Sequence, residues 1–101
     1  MPAANAPIDV RHNAAASRFE AVVDGLLCRA DYALVDGVMR MHHTEVPATL
    51  AGRGIAGRLV DAAFAHAEAN GLAVEPRCSY VRAYVKRHPE THRLISGGFT
   101  R

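Results

Sequence analysis

Hydrophobic and polar positions alternate along the first half of the chain with the period of two that is typical of β-strands. Three runs show this alternation: residues 17–24, 28–34 and 38–46. The pairs Asp24-Gly25 and Asp36-Gly37 separate the runs, and Asp-Gly favours tight hairpins because both turn positions need positive φ. The pattern therefore predicts an antiparallel meander, preceded by a short edge strand over residues 8–12.

The second half of the chain changes to paired apolar positions that fall on one face of a helix. The pairs are Ile55/Ala56, Leu59/Val60 and Ala63/Phe64, followed by Ala67. Asn70-Gly71 is a helix stop, residues 72–75 form a short strand before Pro76, and residues 79–88 form a second helix before Pro89. We therefore predict an α/β (α+β) fold with a mainly antiparallel, twisted sheet flanked by helices.

Length and composition narrow the class of protein. The 101 residues suit one domain, 1–101, with residues 1–7 expected to be a flexible lead-in. A net charge of +2 is too small to indicate a nucleic-acid binder. Cys28 and Cys78 form no C-x-x-C motif, so we expect neither a metal site nor a disulfide framework. Neither a signal peptide nor a run of about 18 apolar residues is found, so we expect a cytoplasmic protein that does not bind membranes.

Residues 52–57 read GRGIAG, a glycine-rich turn at the start of a helix, where backbone N–H groups and the helix dipole bind phosphate. A dinucleotide site also requires an acidic residue about 20 positions later, and Glu75 meets that condition. It further requires a buried apolar strand directly before the loop. Residues 47–51 intervene here and the preceding MRMHHTEV is polar throughout, which argues against a dinucleotide fold.

The order of four strands, glycine loop, long helix, strand and helix resembles the Gcn5-related N-acetyltransferase fold. In that family a Gln or Arg, two residues, Gly, one residue and Gly or Ala hold the pyrophosphate of acetyl-coenzyme A. Here the segment is Ala51-Gly52-Arg53-Gly54-Ile55-Ala56, with Ala51 in place of the usual Gln or Arg. Because backbone N–H groups form the cradle, we expect this change to weaken side-chain contacts with phosphate without abolishing the site.

Five motifs, one of them within this loop, are similar to those of very short members of this superfamily, and the resemblance covers roughly residues 8 to 96. They are His43-Thr44-Glu45-Val46, Gly52 to Ala56, Pro76-Arg77-Cys78, Tyr80-Val81 and Arg87-His88-Pro89-Glu90. The resemblance implies an acetyl-coenzyme A-dependent N-acetyltransferase acting by direct attack of an amine on the thioester. It implies a cofactor site formed by Val46, Ala51, Gly52, Arg53, Gly54, Ile55 and Ala56.

Two residues of the fourth strand are candidate proton acceptors. The resemblance places Glu45 beside the acyl end of the cofactor, and a carboxylate there can accept the amine proton. His43 shares its face, because residues two apart on a strand project together. Either side chain is a candidate base, and each also has a structural interpretation as an ordinary hydrogen-bonded strand residue.

Cys78 and Tyr84 are candidates at the leaving sulfur. Cys78 follows the fifth strand, where the resemblance implies the pantetheine arm, so it either lines the acyl pocket or accepts the acetyl group covalently. Tyr84 lies where many of these enzymes place a tyrosine that protonates the thiolate. Tyr80, one turn earlier on the same helical face, is the alternative acid.

The acceptor is expected to be a small-molecule or protein amine, and a homodimer is possible. A non-catalytic acyl-coenzyme A-binding regulatory module is the main alternative function. Several basic residues near the C-terminus form a modest positive face, which is most often simply solvated. They are Arg82, Lys86, Arg87 and Arg93.

Overall fold

The computed structural model of the protein describes residues 8–98, so the predicted lead-in 1–7 lies outside the described residues. The strands are β1 (Arg11–Asn13), β2 (Arg18–Val23), β3 (Leu26–Val35), β4 (Val38–Glu45) and β5 (Ala73–Pro76), and the helices are α1 (Ile55–Ala69) and α2 (Ser79–Arg87). Short 3-10 helices occupy Ala48–Leu50 and Pro89–Leu94. The predicted element order is confirmed.

The strands form a five-stranded sheet in the order β1-β2-β3-β4-β5. Each pair from β1 to β4 is antiparallel, and β5 joins β4 in parallel after the α1 crossover. At both predicted hairpins the aspartate and the glycine have positive φ, 52° and 76° at Asp24-Gly25 and 51° and 77° at Asp36-Gly37. The two tight turns therefore fix the meander in register, as the Asp-Gly pairs predict.

One face of the sheet packs against the helices and forms the core. Its buried strand residues are Phe19, Ala21, Cys28, Ala30, Tyr32, Met39, Met41 and Val74. Both helices lie on this side, because their buried residues share one core with these strand residues. The Phe64 ring of α1 stacks there on Tyr84 of α2, with centroids 5.6 Å apart. The opposite side, here called the open face, is covered by no helix within residues 8–98.

A β-bulge in β4 decides which side chains reach the open face. Tyr32 pairs with Met41 and Asp31 pairs with His43, so His42 is the extra residue. Met41 and Thr44 consequently both face the helices, whereas His43 and Glu45 both project from the open face. The predicted shared face of His43 and Glu45 is therefore present.

β4 and β5 separate beyond Met41. Their parallel pairing covers Val38 to Met41, and the N–H groups of Arg77 and Cys78 then both donate to the carbonyl of Met41, at 2.9 and 3.1 Å. The last residues of β4 therefore have an edge that pairs with no other strand of residues 8–98. The 3-10 helix Ala48–Leu50 connects this free edge to the glycine loop.

The C-terminal segment closes the other edge of β5. Ile95 forms a parallel bridge with Val74, and the Ser96 N–H donates to the Val74 carbonyl at 2.8 Å. The sequence pattern did not predict this bridge, because one apolar pair gives no periodicity to read. None of the helices described is both long and apolar enough to cross a membrane.

Candidate functional site

A cleft of about 220 Å³ opens between the end of β4, the glycine loop and the start of α2. Its lining residues are Val46, Leu50, Ala51, Gly52, Arg53, Gly54, Ile55, Ala56, Gly57 and Tyr80. All seven residues that the sequence assigned to the cofactor line this cleft. Of the remaining three, Gly57 ends the GRGIAG motif and Tyr80 is the alternative acid, whereas Leu50 carried no sequence signal.

The glycine loop lines the cleft with two glycines in left-handed backbone conformations. Gly52 and Gly54 have φ of 81° and 75°, and Gly54 is the N-cap of α1 with no side-chain cap from any described residue. A Cβ at either glycine would meet nothing within 4 Å, so these glycines serve the left-handed backbone rather than close packing. The first-turn N–H groups of α1 thus remain available to an anion at the positive end of the helix dipole.

Arg53 ties the loop to the sheet. Its Nη1 donates to Asp24 Oδ2 at 2.8 Å, so the β2–β3 turn and the glycine loop are joined by an ion pair. The Arg53 side chain therefore positions the loop.

His43 and Glu45 are in contact on the open face. His43 Nε2 lies 3.0 Å from Glu45 Oε1, and Arg29 Nη2 donates to the same oxygen at 3.2 Å. The His43 hydrogen bond, followed by the charge of Arg29, lowers the pKa of Glu45 below its ordinary value. Glu45 is consequently an anion at neutral pH, and its side chain is 56% exposed.

Cys78 lies where β4 and β5 separate. Its Sγ accepts a hydrogen bond from the Val81 N–H at 3.4 Å as the N-cap of α2 and lies 3.5 Å from Thr44 Oγ1. The half-buried thiol thus bridges the free end of β4 and the start of α2. Residues 8–98 contain no cluster of three or more His, Cys, Asp or Glu side chains suited to hold a metal ion.

The two candidate tyrosines of α2 occupy different environments. Tyr84 is buried, its ring stacks between Phe64 and His88, and its hydroxyl donates to Asp61 Oδ1. Burial, and then Asp61, raise the pKa of Tyr84. Tyr80 instead lines the cleft, where its hydroxyl would lie 3.5 Å from a Cβ placed on Gly57. Sequence spacing puts both rings on one helical face, so only the packing of α2 on α1 distinguishes them.

A mixed sheet in which β4 and β5 separate beside a glycine-rich loop is typical of acyltransferase domains. Comparison with known proteins agrees. The family model described as GCN5-related N-acetyl-transferase matches residues 18–94. The chain belongs to this family. Membership, together with the antiparallel meander before the loop, removes the dinucleotide-binding interpretation of GRGIAG.

Curated relatives and a solved structure extend the comparison. Protein NATD1 of Gallus gallus and of Mus musculus are each 35% identical over 86 residues, covering 82% of this chain and 78% of the relative. A GCN5-like protein of Staphylococcus aureus, solved by NMR, superposes with a TM-score of 0.73 at 21% identity, covering 95% of this chain and 94% of that chain. At that identity the superposition shows the fold, which is the one the sequence predicts.

Proposed function

We propose that this chain binds acetyl-coenzyme A in the cleft and transfers the acetyl group to an amine. The observation that carries the proposal is the cleft itself, which extends from the uncapped N-terminus of α1 to Val46, the residue that follows the free edge of β4. One end suits a pyrophosphate and the other presents unpaired backbone groups to the amides of an extended arm. When bound, acetyl-coenzyme A supplies the thioester carbonyl that an amine attacks.

His43 and Glu45 together provide the proton acceptor in this proposal. The ionised Glu45 carboxylate only accepts hydrogen bonds, so the neutral His43 ring donates to it from Nε2. In that tautomer Nδ1 carries the lone pair and takes the proton of the amine. Glu45, whose lowered pKa makes it a weak base, orients the ring and stabilises the imidazolium.

Tyr80 is the proposed proton donor at the leaving sulfur. Its hydroxyl is at the cleft, whereas the Tyr84 hydroxyl is engaged by Asp61 in the helix interface. Cys78 is assigned to the wall of the acyl site, because its thiol is held at the N-cap of α2 by the Val81 N–H and contacts Thr44.

Thermal unfolding with acetyl-coenzyme A and, separately, NAD at equal concentration tests the proposal. A ligand at about 100 times its Kd stabilises the folded state by about 2.7 kcal/mol, so we expect acetyl-coenzyme A alone to raise the midpoint. Release of coenzyme A in the presence of an amine then tests the transfer. A rise with NAD alone would overturn the proposal, and a rise with acetyl-coenzyme A without transfer to any amine would indicate the non-catalytic binding module.

A further inference from the structure

The open face carries an exposed apolar pair beside Glu45. Val22 and Leu27 are cross-strand partners on β2 and β3, and they are 68% and 39% exposed. Because partners project to the same side and residues two apart share a face, Leu27 lies on the face of Arg29 and Glu45. We call Val22 and Leu27 the apolar pair.

The strand register gives the distance between the apolar pair and Glu45. Arg29 pairs with Glu45, and Leu27 is two residues before Arg29. Leu27 and Glu45 are therefore diagonal neighbours, with Cα atoms about 7–8 Å apart. Val22 lies on the next strand, so it is about 5 Å further from Glu45 than Leu27 is, measured across the sheet. A ligand that reaches both therefore has a charged head and an apolar body of a few carbon–carbon bonds.

The charges on the open face suit a single cationic head. Glu20 is paired with Arg18 at 2.6 Å and Asp31 with Arg29 at 3.5 Å, and both carboxylates are less than one quarter exposed. Glu45 is the more accessible carboxylate of this row. Glu45 also pairs with Arg29, but it is the one carboxylate of β2, β3 and β4 that is more than half exposed, and a single such anion next to an apolar surface favours a monoamine over a polyamine.

We propose that the acceptor is a primary amine with an apolar body, which packs on the apolar pair while its amine lies at His43 and Glu45. This inference rests on the proposed function. In this inference the amine reaches the cleft from the open face where β4 and β5 separate beyond Met41, close to Val46 of the cleft lining.

An amine panel with matched variants tests the inference. Hexylamine and phenethylamine represent apolar amines, and ethanolamine and spermidine represent polar ones. We expect lower KM values for the apolar amines, and Val22→Ser should raise those values about fivefold, because apolar contact area is lost. The KM for ethanolamine should not change.

Val35→Ser is the matched control. Val35 lies on the same face of β3 and is 37% exposed, but it is about 26 Å from Leu27 along the strand. It should leave every KM unchanged. Reactions without amine correct for hydrolysis and for acetylation of Lys86, the chain's only lysine.

The outcomes separate this inference from the proposed function. If acetyl-coenzyme A raises the unfolding midpoint and an amine is acetylated, but polar amines are preferred or Val22→Ser behaves like Val35→Ser, the inference alone is overturned. If acetyl-coenzyme A binds and no amine reacts, the inference and the proposed transfer both fail, and the non-catalytic binding module is indicated. A dimer in light scattering that Val22→Ser dissociates would overturn it too, since the apolar pair would then bind a second copy. Absence of any midpoint shift with acetyl-coenzyme A would overturn both proposals.

Discussion

Tyr80 and Tyr84 lie one helical turn apart on α2, but only one of their hydroxyl groups is available to a ligand in the cleft. The other hydroxyl stabilises the contact between α1 and α2. Tyr84 has its hydroxyl bonded to Asp61 and its ring covered on both sides, whereas Tyr80 presents its hydroxyl to the cleft. A side chain whose donor is already engaged has less to offer a reacting group. The two hydroxyls should therefore contribute to different measurable quantities.

Removing each hydroxyl separately tests this division. Tyr84→Phe should lower the free energy of unfolding by about 1.5 kcal/mol, since one hydrogen bond to a charged partner is lost, and should change turnover little. Tyr80→Phe should leave stability nearly unchanged and lower kcat by about 10²-fold, the lower range for general acid catalysis. Urea denaturation and coenzyme A release measure the two effects. A large fall in kcat with Tyr84→Phe alone would instead assign the acid to Tyr84.

At the scale of single elements, the start of α1 is both a helix N-terminus and a wall of the cleft. Gly57 lies in the first turn of α1, where alanine would favour the helix, yet it also lines the cleft opposite Tyr80. A Cβ there would make ordinary contact with the Tyr80 hydroxyl at 3.5 Å. Stability and access to the cleft therefore favour different residues at this position.

Gly57→Ala should separate those two demands. We expect the free energy of unfolding to rise by up to about 1 kcal/mol, from the higher helix propensity of alanine. The midpoint shift caused by acetyl-coenzyme A should become smaller, because the methyl group narrows the cleft. Thermal unfolding with and without the ligand measures both effects in one variant. An unchanged ligand shift would show that Gly57 does not limit access.

Local sequence signals predicted most elements but not how they meet. The Asp-Gly turns and the apolar stripe of α1 act within a few residues, so the pattern located the hairpins and the helix. The bulge at His42 depends on pairing with β3, and the Ile95 bridge depends on a strand 21 positions earlier in the chain. The place of residues 51–56 along the cleft follows from local sequence in the same way, whereas the proposed preference for Tyr80 over Tyr84 rests on helix packing.

At the scale of the whole molecule, burial on the helix side of the sheet affects several ionisable side chains, three of them in the core and Tyr80 at the cleft. Burial raises the pKa of Cys28, Tyr32, Tyr80 and Tyr84 above their ordinary values. Each of these groups keeps its proton longer in the folded chain than in the unfolded one. Stability should therefore decline at alkaline pH, and the contribution of a single group can be isolated by substitution.

Tyr84 gives the clearest case, because its ordinary pKa is 10.0 and both burial and Asp61 raise the folded value. Its contribution is fully present below about pH 10 and is lost as pH rises above that, since the unfolded tyrosine ionises first. The stability difference between the wild type and Tyr84→Phe should therefore shrink above pH 10, by at most about 1.4 kcal/mol per pH unit. Urea denaturation of both proteins between pH 8 and pH 11 measures this difference. A difference that stays constant to pH 11 would mean that the Tyr84 hydroxyl ionises at the same pH in the folded and unfolded chains.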